Sequence, residues 1–164
     1  MRQIIVIAHN MRSTHNVGSL LRTAEGLGIK NVYLTGYTPY PFKDGDGRLP
    51  HLSKKLHTQI QKTALGAEVT QVWIYAENLS DILTKLKKDG FTIAALEKTT
   101  DAMPLSSYKS PDRIALLLGN EVTGIPKEVL KKILIHLYIP MSGKKESFNV
   151  VQAAAMALYQ LRFL

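Results

Sequence analysis

Six short apolar runs constrain the fold of this chain more than anything else in it: IIVIA at 4 to 8, VYLTG at 32 to 36, VWIYA at 72 to 76, FTIAAL at 91 to 96, IALLLG at 114 to 119 and LIHLYI at 134 to 139. They are nearly continuous rather than alternating, which is the pattern of strands buried on both faces of a parallel sheet. Between most of them the spacing predicts helices over 16 to 27, about 56 to 65, 79 to 88 and 126 to 133, with a last helix from about 149. Strands alternating with helices predict a three-layer α/β sandwich with a mostly parallel sheet. A length of 164 residues suits one core, so a single domain over 1 to 164 is expected.

In the first helix Val17, Leu20, Leu21, Ala24 and Leu27 form the stripe that should face the sheet. Gly18 and Arg22, one turn apart, then lie on another face, with Arg22 released from core duty. In the last helix Val150, Ala153, Ala154, Ala157, Leu158 and Leu161 form an apolar stripe whose small residues predict close packing, within the chain or across a dimer. The stretch from Tyr37 to Lys55, with three prolines and two glycines, reads as a long irregular connection, either a plain surface loop or a lid that touches substrate.

The formal net charge of +8 favours a polyanionic partner, and nucleic acid is the natural one. The absence of cysteine excludes disulfides, thiolate metal sites and a cysteine nucleophile, and a reducing cytoplasm is the expectation. QIIVIA is too short for a membrane span or a signal h-region. The histidines at 9, 15, 51, 57 and 136 lack metal-ligand spacing, so no metal is expected. Neither GxGxxG nor GxxxxGK[ST] occurs, which leaves dinucleotide and P-loop cradles unsupported. Ser147 lacks the G-x-S-x-G setting of a hydrolase nucleophile.

Three segments instead place glycine and polar side chains at element boundaries: NVGSLLRTA at 16 to 24, ALLLGNEVTGIP at 115 to 126, and IPMSGKKESFNV at 139 to 150. All three fall beyond the carboxyl ends of predicted strands or at the start of the following helix, where open α/β sheets bind ligands. Gly143 allows a sharp turn or a close ligand approach, and Ser147 and Asn149 can satisfy amides at the start of the last helix.

In order and spacing these segments resemble the three motifs of the SpoU-like (TrmH) family of SPOUT RNA 2'-O-ribose methyltransferases. Motif 1 reads Asn16-x-Gly18-x-x-x-Arg22-x-Ala24, motif 2 Gly119-Asn120-Glu121-x-x-Gly124-Ile125-Pro126, and motif 3 Ile139-Pro140-Met141-x-Gly143-x-x-x-Ser147-Phe148-Asn149-Val150. KTALGAE at 62 to 68 is also similar to the family, and the resemblance covers essentially the whole chain. Phe148 stands where leucine is commoner.

The resemblance implies an S-adenosylmethionine-dependent enzyme, a C-terminal trefoil knot, a homodimer, and tRNA or rRNA as substrate. The cofactor would be held by Leu96, Gly119, Ile139, Met141, Ser147 and Phe148. Leu96, Ile139 and Phe148 taken singly are ordinary core residues, and only the ordered set carries the ligand reading. The resemblance assigns catalysis to Arg22, Asn16, Glu121, Ser147 and Asn149. Arg22 would bind phosphate and stabilise the developing alkoxide, since a guanidinium is a poor general base. Asn16 can cap the first helix or fix Arg22 and the ribose. Glu121 can orient loops, meet Asn16 or Arg22, or bind the ribose region. In such a dimer the arginine of one subunit would act beside the cofactor of the other. A basic RNA track is expected over Arg12, Lys30, Lys54, Lys55, Lys144 and Lys145. Two alternatives are a non-catalytic RNA-binding member of the fold and an RNA base methyltransferase.

Overall fold

The computed structural model describes residues 2–164. Seven strands, β1 (Gln3–His9), β2 (Asn31–Thr35), β3 (Trp73–Ala76), β4 (Thr92–Leu96), β5 (Met103–Pro104), β6 (Arg113–Leu118) and β7 (Ile135–Tyr138), form one sheet in the order β3-β2-β1-β6-β4-β7-β5. Every pairing is parallel, with Val6 opposite Val32 on one side and Leu116 on the other. The six strands expected from the apolar runs are all present. The seventh, β5, is two residues long and pairs only with β7, too short to leave a sequence pattern.

Side chains alternate across the sheet and build two cores. Ile4, Val6 and Ala8 of β1 and Ile114, Leu116 and Leu118 of β6 point to one face. There they pack under α1 (Thr14–Gly26), α2 (Pro50–Ala64), the short α3 (Ala67–Thr70) and α6 (Val150–Phe163). Ile5, Ile7, Ala115 and Leu117 point to the other face, covered by α4 (Leu79–Lys88) and α5 (Lys127–Leu130). Period-two alternation within continuously apolar strands is what a sheet covered on both faces requires. In α4 the buried Leu79, Ile82, Leu83 and Leu86 form the inner stripe, and Asn78 caps the helix by accepting from the Ser80 amide at 2.9 Å. Among the described residues no helix is long and apolar enough to cross a membrane.

The expected long connection is shorter than its composition suggests, because α2 already starts at Pro50, where the ring presets helical φ. The remainder folds around Arg48, which pairs with Asp46, donates to the carbonyls of Tyr40 (3.0 Å) and Pro41 (3.1 Å), and lies 3.5 Å over the Tyr40 ring. Tyr40 stacks in turn on Tyr75, centroids 4.1 Å apart. The Arg48 partnership holds the Asp46 carboxyl down at about 2, against the opposing effect of burial.

Gly18 is buried, and its reason is packing. A Cβ there would collide with the Ile60 carbonyl oxygen and Thr63 Oγ1 and come within 2.9 Å of the Ala64 amide, so glycine lets α1 and α2 touch backbone to backbone. Thr63 locks the contact by donating to the His15 carbonyl at 2.8 Å. Within the KTALGAE stretch, Leu65 and Gly66 turn the chain through left-handed backbone (φ 50° and 99°), and Glu68 accepts from the Gly66 amide at 2.9 Å. The Gly18→Ala variant is expected to lose about 1–3 kcal/mol of stability through overpacking, outweighing the gain in helix propensity of up to ~1 kcal/mol; a urea midpoint at or above wild type would show that α2 yields freely.

Candidate active site

The carboxyl ends of β4, β6 and β7 open into a cleft of about 260 Å³. All six expected cofactor residues, Leu96, Gly119, Ile139, Met141, Ser147 and Phe148, line it, together with Glu121. Leu118, Leu137 and Ala153 add apolar floor, and Glu97, Lys98 and Glu146 add charge.

Its motif-2 wall is a tight turn. Asn120 and Gly124 exchange both backbone hydrogen bonds, at 3.1 and 3.0 Å. Gly119 is required here because a Cβ would sit 2.5 Å from the Gly124 carbonyl carbon and 2.6 Å from the Ile125 amide nitrogen. The buried Asn120 amide spends every valence on the turn. Its Nδ2 donates to the Asn10 carbonyl and the Tyr37 hydroxyl, both 2.9 Å, and its Oδ1 accepts from the amides of Val122 (2.8 Å) and Thr123 (2.9 Å). From β4, Glu97 Oε2 accepts the Ile125 amide at 2.9 Å. Neither residue was assigned a role from the sequence; Asn120 lay inside the quoted motif, whereas Glu97 has no sequence signal.

Glu121 joins this turn to the start of α1. Its carboxylate accepts from the Arg12 amide (2.8 Å), the Ser13 amide (3.0 Å) and Asn16 Nδ2 (2.9 Å). Asn16 Oδ1 in turn accepts a long bond from Asn149 Nδ2, 3.4 Å. One residue from each motif therefore meets in a hydrogen-bonded chain, Glu121 to Asn16 to Asn149, at the edge of the cleft. Burial pushes the Glu121 carboxyl up, but the three donated hydrogen bonds outweigh it and hold the group below its ordinary value.

Several expectations change. Asn16 does not cap α1; Ser13 does, its Oγ accepting from the Asn16 amide at 3.2 Å, which frees the Asn16 side chain to bridge. Asn149 is the cap of α6, accepting from the Val151 amide at 2.9 Å, while Ser147 takes no part in the cap and is exposed on the cleft rim. Gly143 is not required by the backbone, since an added Cβ meets nothing within 4 Å and φ is not positive. Arg22 does not line this cleft. It is exposed on α1 and forms no hydrogen bond or ion pair among the described residues. Of the expected basic track, Lys30 is misplaced: it precedes β2, at the opposite end of the sheet from the cleft, and bonds Gln3 Oε1 at 3.3 Å. Lys144 and Lys145 are exposed in the loop between β7 and α6, and Lys54 and Lys55 on the first turns of α2.

The sequence model described as the SpoU rRNA Methylase family matches residues 47–159. The chain is 28% identical over 160 residues to the mouse tRNA (guanosine(18)-2'-O)-methyltransferase TARBP1, covering 96% of this chain and 9% of that protein. It is 27% identical over 158 residues to the 23S rRNA (guanosine(2553)-2'-O)-methyltransferase RlmP of Bacillus subtilis, covering 96% of this chain. The chain spans 57% of that relative's length, so little more than half. Its fold is similar to an AdoMet-bound rRNA methyltransferase from Sinorhizobium meliloti, with TM-score 0.82 and 22% identity over 98% of this chain and 56% of the other.

Because the folded-state Glu121 carboxyl sits below its ordinary value near 4.5, the unfolded chain takes up this proton more readily. Its contribution to stability is complete above that value and is lost as pH falls through the lower folded value. Glu121→Gln should therefore flatten the fall in stability between about pH 6 and 3; denaturation midpoints that fall as steeply as in wild type would show that the three hydrogen bonds carry no charge-dependent stabilisation.

Proposed function

The chain belongs to the SpoU rRNA methylase family, and from that premise we propose that it transfers a methyl group from S-adenosylmethionine to a ribose 2'-hydroxyl of tRNA or rRNA. The observation that carries the reading is the Glu121–Asn16–Asn149 chain of hydrogen bonds, which sets all three motifs around a cleft lined by all six expected cofactor residues. Both relatives' names specify the 2'-oxygen of a guanosine, in tRNA in one and rRNA in the other.

The cleft suits an adenosyl group. Leu96, Leu118, Leu137, Ile139 and Met141 provide an apolar slot for a flat base. The exposed loop before α6 would supply backbone amides and carbonyls for the base edge and ribose. Glu97, Glu121 and Glu146 make the lining net acidic, favourable for a sulfonium cation. The bound cofactor would supply the electrophilic methyl. The chain's own residues would then align the ribose in line with it and stabilise the negative charge growing on the 2'-oxygen. Asn16, its amide oriented by Glu121 on one side and Asn149 on the other, is suited to holding the ribose.

Arg22 is the proposed charge stabiliser, permanently cationic and so not the base. Its exposure on α1, away from its own chain's cleft, supports action on the cleft of a second copy. The outer face of α6 supports the dimer this needs. Met156, Tyr159, Phe163 and Leu164 are 38%, 55%, 59% and 79% exposed there, beside an apolar groove that includes Leu105, Ile139 and Pro140. A trefoil knot belongs to the same proposal. Its support is that β7 is inserted between β4 and β5, which are consecutive in the chain, so that the segment linking them passes across β7. The whole chain would act as one SPOUT domain, in the cytoplasm where such RNA is met.

Incubating the protein with labelled S-adenosylmethionine and bulk tRNA or rRNA, followed by nuclease digestion, should yield a 2'-O-methylnucleoside, 2'-O-methylguanosine being the first to seek. A base-methylated product would replace this reading with the base-methyltransferase alternative, and cofactor binding without turnover would favour a non-catalytic role. Arg22→Ala should cut transfer by roughly 10²-fold or more while leaving cofactor affinity nearly unchanged. Ala153→Leu, which fills the cleft floor, should lose cofactor binding. Mixing these two inactive variants should restore activity, because each mixed dimer holds one intact cleft facing one intact Arg22; no recovery would confine Arg22 to its own subunit. Light scattering should give about twice 18.3 kDa, and Tyr159→Glu should halve it; a wild-type monomer at micromolar concentration would sink the dimer.

A further inference from the structure

We propose that Tyr37 and the guanidinium of Arg12 form a nucleobase subsite that receives an unstacked base of the substrate RNA next to the ribose being methylated, an inference that rests on the RNA reading above. A second cavity, of about 310 Å³, lies beyond the ends of β1, β2 and β3, lined among others by Arg12, Thr14, Tyr37, Tyr40, Arg48 and Tyr75. Two consecutive residues separate it from the cofactor cleft. Asn120 holds the Tyr37 hydroxyl on one side, and Glu121 holds Asn16 and the Arg12 amide on the other. A strand whose ribose lies against Asn16 is therefore one short step from Tyr37.

Tyr37 differs from the other rings of this cavity. Tyr40 is sandwiched between Arg48 and Tyr75, and the Tyr75 hydroxyl donates to the Gly36 carbonyl at 2.9 Å, so these aromatics are consumed by the fold. Tyr37 is 61% exposed, and its ring has no aromatic or cationic partner among the described residues. It is nevertheless held at both ends. Its backbone amide donates to Asn10 Oδ1 at 3.2 Å and its hydroxyl accepts from Asn120 Nδ2 at 2.9 Å. Asn10 is itself fixed, with left-handed backbone (φ 56°) and its Nδ2 3.1 Å from His9 Nε2. An exposed aromatic face pinned at both ends costs little ordering entropy when a base stacks on it. Arg12 adds the complementary charge: its amide is committed to Glu121, while its exposed guanidinium has no partner among the described residues and is available to a phosphate. Arg48 cannot serve this purpose, because Asp46 neutralises it. Stacking platform plus adjacent cation is the arrangement by which single-stranded nucleic acid is gripped.

The test measures affinity for bulk tRNA and rRNA across a salt series, with methyl transfer and cofactor binding read on the same samples. Tyr37→Leu should weaken RNA binding roughly 5- to 100-fold with the salt slope unchanged, whereas Tyr37→Phe, which keeps the ring, should stay within about threefold of wild type. Arg12→Ala should reduce the salt slope by about 0.7–0.9, the loss of one phosphate contact. Ultraviolet cross-linking to 5-iodouridine-substituted RNA should label Tyr37 in the wild-type protein, independently of any variant's folding. Wild-type affinity in Tyr37→Leu, alongside intact methyl transfer, overturns the subsite alone. Loss of RNA binding in Tyr37→Leu when the wild type binds RNA but transfers no methyl supports the subsite and overturns the proposed reaction. A wild-type protein that binds neither RNA overturns both.

Discussion

The site depends on one carboxylate. Glu121 sits where three donors converge, two backbone amides ahead of α1 and the Asn16 side chain, and an anion placed there also meets the positive end of the helix dipole. An apolar side chain would leave those amides without a partner in a partly buried place, and an unmade hydrogen bond costs more than a made one gains. Because Glu121 belongs to the turn after β6 and its donors to the loop after β1, the bond fixes one strand end against the other. These are the neighbouring central strands between which the sheet changes direction of winding, where α/β folds open a crevice. The Asn120 amide reinforces the same junction one residue earlier, by bonding the Asn10 carbonyl.

Much of this was legible in the sequence because it depends on local pattern. Continuous apolar runs revealed the six long strands, and the family resemblance carried by the ordered glycine and polar motifs pointed to residues that the structure places around the cleft. What escaped was what only tertiary contact decides. The capping role went to Ser13 rather than Asn16, since both are good caps and the choice rests on whether Glu121 claims the asparagine amide. Gly18 read as lying with Arg22 on a face outside the core stripe, yet it is the contact surface for α2, which no periodicity within α1 can reveal. The 37–55 stretch read as irregular because its order comes from a cation buried among tyrosines and carbonyls, not from hydrogen-bonded repeats. Lys30 joined the wrong surface because charge in a sequence carries no information about which end of the sheet it occupies.

In the proposed reaction, what holds the cofactor and what stabilises charge would be separate. The cleft is apolar and acidic, suited to a neutral base and a cationic sulfur, and an acidic lining is unfavourable for an oxyanion forming nearby. Its lining cation among the described residues, Lys98, is exposed and tethered by no hydrogen bond, so it offers a mobile charge rather than an oriented one. Preorganised charge is worth far more than mobile charge in stabilising a developing oxyanion. Arg22, on the motif-1 helix but outside the cleft, is the available alternative. Its helix backbone is fixed by the Gly18 contact with α2 at one side and by the Glu121 bonds at its start, while its exposed side chain lies outside its own chain's cleft and has no partner there among the described residues. A cation on a fixed helix and a cleft without an oriented cation, on a chain whose last helix exposes an apolar face, are what the proposed dimer would bring together. In the proposed dimer each copy would complete the site of the other.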